Sequence, residues 1–84
     1  MMINAGYENF VRDELIAAIL QPDSSHAKKL RQDAADRGLL INTTAGHKTR
    51  SVIVLTTGQI VLSSLQSTTL KDRVDGINKK SEGK

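Results

Sequence analysis

The chain has 84 residues, no cysteine, no tryptophan, one tyrosine and one phenylalanine, a net charge of +3 and a pI near 9.5. That length makes one domain, and the lack of cysteine removes disulfides and thiolate metal sites and suits a reducing compartment. The longest apolar stretch, 15–20, falls far short of the roughly 20 residues that span a bilayer, so a soluble cytoplasmic protein is expected.

A chain this short buries only about 60–65% of its unfolded surface. Without disulfides or large aromatic anchors, such chains often complete their burial against copies of themselves, which makes self-association the first expectation.

In chain order, residues 1–5 are short and apolar, with Gly6 marking a turn or a close backbone approach. The stretch 10–20 reads as a short strand, a turn and a second strand ending at Leu20. A helix over 13–20 is the competing reading, because a short apolar run cannot be typed by periodicity alone. Pro22-Asp23-Ser24-Ser25 is a punctuation mark that supplies candidate helix N-caps. After it, Ala27, Leu30, Ala34 and Ala35 recur at helical spacing, with Lys29 and Asp33 as an i,i+4 pair, Arg37 in the last turn and Gly38 as the C′ cap.

Leu39-Leu40-Ile41 begins a strand that runs out in Asn42-Thr43-Thr44, and residues 45–50 form a polar, basic connection of hairpin character. The β-branched run 51–56 is a strand, Thr57-Gly58 a tight turn, and 59–65 the returning strand. Continuous apolar runs on both strands imply burial on both faces, one against the helix and one against a neighbouring subunit. Leu70, Val74 and Ile77 mark a second, shorter helix broken at Gly76. The expected organisation is therefore one α+β domain over 1–77, a small mostly antiparallel sheet with two helices, followed by a polar, disordered tail over 78–84.

Chemistry is hard to place on these residues. His26 and His47 have no partner at ligand spacing, so no metal and no cofactor are expected. Asp33 and Asp36 sit among Lys29 and Arg37 as a solvated charged face. Gly46-His47-Lys48-Thr49 fails as a phosphate loop: the first glycine is missing, the lysine is displaced, and a strand follows where a helix is needed. No serine has the strand–turn–helix setting of a nucleophile elbow. Neither an enzyme nor a small-molecule substrate is expected.

The remaining concentration of charge is His47-Lys48-Thr49-Arg50. On spacing alone it is a solvated turn. Repeated around the axis of an oligomer, it becomes a set of cations that can contact phosphates. Lys28, Lys29 and Arg31 form a second basic cluster of the same ambiguous kind. The scarcity of aromatics disfavours single-stranded nucleic acid, which is held by stacking, and leaves duplex DNA as the better partner.

The block from Arg31 to Ile41, the basic loop and Arg50-Ser51-Val52-Ile53-Val54 resemble the RemA family, bacterial regulators of extracellular matrix genes. Ile3-Asn4-Ala5-Gly6-Tyr7-Glu8-Asn9 is similar to that family's Ile-Asn-Ile-Gly-Phe-Gly-Asn start, and Val61 to Gln66 resembles its penultimate strand. The likeness covers residues 2 to 74. It implies a subunit that assembles into a ring-like homo-oligomer, binds duplex DNA around it, and acts in the nucleoid as a transcriptional regulator and DNA-organising protein. Where the family loop reads Tyr-Gly-Arg-Arg-Thr-Arg, this chain has Ala45-Gly46-His47-Lys48-Thr49-Arg50. A further family arginine falls on Leu15, with Arg12 close by in sequence.

The expected DNA contacts are thus His47, Lys48 and Arg50, with Arg12 as an auxiliary. Lysine lacks arginine's bidentate fork, and histidine is mostly neutral at pH 7. Either DNA binding is weaker and strengthens on acidification, or the ring is kept and the partner has changed. The alternative function is an oligomeric scaffold or adaptor that binds protein and not DNA.

Overall fold

The computed structural model describes residues 1–81, with side chains described through 76. The elements are β1 (Met2–Asn4), β2 (Phe10–Arg12), a 3₁₀ turn (Asp13–Leu15), β3 (Ile16–Leu20), α1 (Ser25–Arg37), β4 (Leu40–Asn42), β5 (Ser51–Leu55), β6 (Ile60–Ser63) and α2 (Ser67–Ser81). Two helices and six strands make a small α+β domain.

The punctuation around α1 works as its chemistry demands. The Ser24 hydroxyl accepts the Ala27 amide at 3.0 Å, and Gly38 closes the helix in the left-handed region at φ 73°. Ala27 and Ala34 face inward. Lys29 and Asp33 form no ion pair, and Gln32 Nε2 instead donates to Asp36 at 3.0 Å. Replacing Ser24 by alanine leaves an orphan amide at the first turn. It is expected to cost about 1 kcal/mol, read as a lower midpoint in urea denaturation.

Residues 10–20 form strand, 3₁₀ turn and strand, not a helix. The charged Asp13-Glu14 pair sits in the turn, where the N-terminal ammonium contacts both carboxylates at 2.9 and 2.7 Å. The hydrogen bond from that ammonium holds the Glu14 carboxyl down to about 2. Glu14 and the ammonium are exposed and Asp13 is half-buried, so salt screens the contact and it ties the foot of the hairpin without anchoring the core.

β1 and β2 pair antiparallel, with Met2 opposite Arg12 and Asn4 opposite Phe10. The other four strands form one sheet in the order β3-β5-β6-β4. All neighbours in it are antiparallel except β4 and β6, which run parallel. The connection 43–50 is therefore not a hairpin. It passes from β4 over the end of β6 to reach β5, and both of its ends are bonded to that strand. The Thr43 amide and hydroxyl donate to the Leu62 carbonyl at 3.0 and 2.6 Å, and the Arg50 amide donates to the Ser63 carbonyl at 2.8 Å.

The two apolar faces of β5 and β6 are both covered, as their sequence requires. On one face Val52, Ile60 and Leu62 pack with Ala27 and Ala34 of α1. On the other, Ile53, Leu55 and Val61 pack with Ala5, Val11 and Leu70. The cover on that second face is the chain's own β1–β2 hairpin and α2, not the neighbouring subunit that the apolar pattern suggested. α2 also corrects two expectations. It is longer than α1, at 15 residues against 13, and it runs through Gly76 without a break. The boundary expected at residue 77 falls inside it; of the tail expected to be disordered, 78–81 continue the helix and 82–84 lie outside the described residues.

One polar atom in this core is unusual. Ser51 is fully buried, and its hydroxyl has no hydrogen-bond partner among the described residues. A buried, unpaired hydroxyl costs stability, so Ser51→Ala is expected to leave the protein as stable or to add up to about 1 kcal/mol. Thermal unfolding of the two proteins side by side checks this.

Candidate nucleic-acid interface

The basic loop is built to be held at both ends and free in the middle. Its first half is a tight turn in which Ala45 and Gly46 both have positive φ, at 55° and 83°, closed by the His47 amide on the Thr44 carbonyl at 2.9 Å. Two consecutive positive φ values are the pattern of type I′ turns. Asn42 braces it, its Oδ1 accepting the Thr44 amide at 2.9 Å and hydroxyl at 2.7 Å. Beyond the turn, His47, Lys48 and Arg50 are exposed, while Thr49 is half-buried. Lys48 and Arg50 take part in no ion pair among the described residues.

Two adjoining clefts meet at this loop. One lies between Lys48, Arg50 and the start of α2, where Gln66, Ser67 and Thr68 form the facing wall. The other lies between His47, Lys48 and Arg50 on one side and Gly6 and Tyr7 on the other. Lys48 and Arg50 line both. Each cleft presents hydroxyl or backbone donors beside two cations, the composition that fits phosphate oxygens. Among the described residues, Asp23 in the first cleft is the one carboxylate lining either of them.

His47, Lys48 and Arg50 are therefore brought together, but Arg12 is not. It stands opposite Met2 at the open end of the β1–β2 hairpin, whereas the loop meets that hairpin at its tip. Leu15 packs against the core cluster and places no cation there. Lys28 and Arg31 line a separate shallow groove beside Leu40, on the α1 side of the sheet.

Sequence reasoning missed the hairpin tip. Gly6 marks a turn in the sequence, but Tyr7 and Glu8 after it also lie in the left-handed region, at φ 53° and 61°. For residues with a Cβ that conformation costs of order 1 kcal/mol or more each. Gly6 itself takes φ 117°, a backbone conformation that favours glycine, while a Cβ there would meet Ser64 and Leu65 only at ordinary contact distance, 3.5 and 3.6 Å. Asparagines at positions 4 and 9, flanking the glycine, were the available signal, since asparagine side chains close turns on their own backbone. Here Asn4 Oδ1 accepts the Gly6 amide and Asn9 Nδ2 donates to the Gly6 carbonyl.

No helix among the described residues is long and apolar enough to cross a membrane. No group of three or more His, Cys, Asp or Glu among them is arranged to hold a metal ion. What the fold and the site define is a small α+β domain that offers a cationic loop at the end of its sheet.

The chain belongs to the RemA-like family, described as extracellular matrix regulatory protein A-like, which it matches over residues 2–74. Its relatives include several named as a "Putative regulatory protein". One from Dictyoglomus turgidum is 44% identical over 81 residues, covering 96% of this chain and 95% of the relative. One from Nitratidesulfovibrio vulgaris strain DP4 is 42% identical over 72 residues, covering 86% and 84%. One from Thermodesulfovibrio yellowstonii is 40% identical over 83 residues, covering 99% and 98%. The family and these names are those of bacterial regulatory proteins, not of enzymes.

Proposed function

We propose that this chain is a non-enzymatic transcriptional regulator and DNA-organising protein of the bacterial cytoplasm, associated with the nucleoid. In this reading it assembles into a ring of identical subunits and holds duplex DNA by its phosphates through His47, Lys48 and Arg50. Arg12, at the far end of the hairpin, is a separate auxiliary contact. The family's description makes extracellular matrix genes the expected targets. The observation that carries the proposal is the pair Lys48 and Arg50, two exposed cations in no ion pair among the described residues, which line both clefts at one end of the sheet. Repetition of that pair around a ring multiplies the phosphates neutralised, and each one adds affinity through counterion release.

No recognition helix enters this picture, so selectivity would come from the curvature and deformability of the duplex. Fluorescence anisotropy of a labelled duplex, titrated with the protein at two salt concentrations, tests the proposal. The expected result is saturable binding whose log–log salt dependence has a slope near −0.9 for each phosphate neutralised. Absence of binding at low salt, to straight and to curved duplexes alike, would remove the DNA reading.

A second reading has its own observation. Met2 and Phe10 stand on the outward face of the hairpin, 52% and 55% exposed. Apolar side chains on one outward face suit a protein contact, as in a scaffold or adaptor. In that case partner binding would survive charge reversal at Lys48 and Arg50.

A further inference from the structure

The braced tip of the β1–β2 hairpin carries an exposed aromatic ring. Besides the two asparagine side chains, the Ser63 hydroxyl donates to the Ala5 carbonyl at 2.6 Å and Arg73 Nη1 donates to the Asn4 carbonyl at 2.6 Å. The hairpin tip is thus fastened by its own strands, by β6 and by α2. Yet Tyr7, which this bracing holds in a left-handed conformation, is 53% exposed and belongs to neither core cluster. Its ring lies against His47 of the basic loop, with centroids 5.1 Å apart and planes inclined by 14°. Strain held in place without any gain in core packing points to a function.

A phenol ring stacked on an imidazole in this way has two effects. It fixes the direction of a side chain that an exposed loop would otherwise leave free. It also ties the basic loop to the braced hairpin tip across the cleft that Lys48 and Arg50 line.

We infer that Tyr7 is a positioning residue for DNA binding: its stack on His47 holds the imidazole at the cleft where a phosphate is bound. This rests on the DNA reading proposed above and adds a residue to it. The site then comprises the basic loop and the hairpin tip together, joined by a defined pair of rings.

The test compares wild type, Tyr7→Phe and Tyr7→Ala by anisotropy with one labelled duplex at two salt concentrations. Proton NMR of the free proteins follows the two histidines. Tyr7→Phe should bind as wild type does, and Tyr7→Ala should bind roughly 2- to 10-fold more weakly for each loop engaged. In the spectra, Tyr7→Ala should shift the ring protons of His47 and leave those of His26, on α1, in place. Wild-type affinity in Tyr7→Ala, or an equal loss in Tyr7→Phe, would overturn the inference while leaving DNA binding intact. Absence of salt-sensitive binding in every protein would instead overturn the DNA reading, and this inference with it.

Discussion

Exchanging Lys48 and Arg50 together for glutamate should abolish DNA binding while leaving the fold and its assembly unchanged. Both side chains are exposed and neither is part of an ion pair among the described residues, so the folded domain loses nothing it depends on. The electrostatic consequence is large. Each exchange moves the charge by two, which takes a subunit from +3 to a net negative charge. Two phosphate contacts per loop correspond to a salt slope of about −1.8, roughly a tenfold loss of affinity for a fourfold rise in salt, before repetition around a ring is considered. Charge reversal removes those contacts and adds repulsion. Circular dichroism and size-exclusion chromatography of the double variant check that fold and assembly persist, and anisotropy reads the loss. A double variant that still binds duplex with the wild-type salt slope would show that DNA contacts another surface, with the α1 cluster at Lys28 and Arg31 next in line.

The largest effect on stability should come from Ile53→Ala. Ile53 is fully buried on the central strand β5, opposite Ile19 on one side and Val61 on the other, and it anchors the core beneath the hairpin and α2. Truncating such a side chain costs about 2–5 kcal/mol, because the cavity left behind closes only in part. A domain of this size has a total stability on the order of 4–13 kcal/mol, so one substitution removes a large share of it. Urea denaturation followed by circular dichroism should show the midpoint fall steeply, with Ile53→Val losing only about 0.5–1.5 kcal/mol. The comparison belongs at several protein concentrations, since an oligomer adds stability that depends on mass action. An Ile53→Ala protein as stable as wild type would mean that the face under the hairpin is not a core.

The parts of this fold that could be read from sequence are those whose signal is local. α1 announces itself by its cap, Ser24, by its stop, Gly38, and by the spacing of Ala27, Leu30 and Ala34 between them. The strand–turn–strand reading of 10–20 holds because the charged Asp13-Glu14 pair sits where the chain must turn into solvent. The parallel pairing of β4 with β6 was not legible. A three-residue strand carries no mark of its partner, and a polar connection before a β-branched run looks like a hairpin whether or not the strands pair. The cover on the second face was misread for a related reason. An apolar face demands burial without naming what buries it, and here Ala5, Val11 and Leu70, from three distant stretches, supply it. Gly76 suggested a break in α2, yet one glycine costs only about 1 kcal/mol in a helix, which the packing of Leu70 offsets.

The candidate site divides in the same way. His47, Lys48 and Arg50 stood out as a cluster in sequence and lie together in space, because they are consecutive on one loop. Arg12 was placed by proximity in sequence to Leu15, and strand pairing carries it to the other end of the hairpin. Tyr7 could not have been found by pattern. Its role depends on the left-handed backbone of 6–8 and on a contact across 40 residues of chain.

Sedimentation velocity of the protein with a labelled duplex, at low salt and then at high salt, tests the central claim most directly. The free protein should sediment as a multiple of its 9.2 kDa subunit, and the duplex should move with it at low salt and separate at high salt. A protein that sediments as a 9.2 kDa monomer, or a duplex that sediments alone at every salt concentration, would contradict the account.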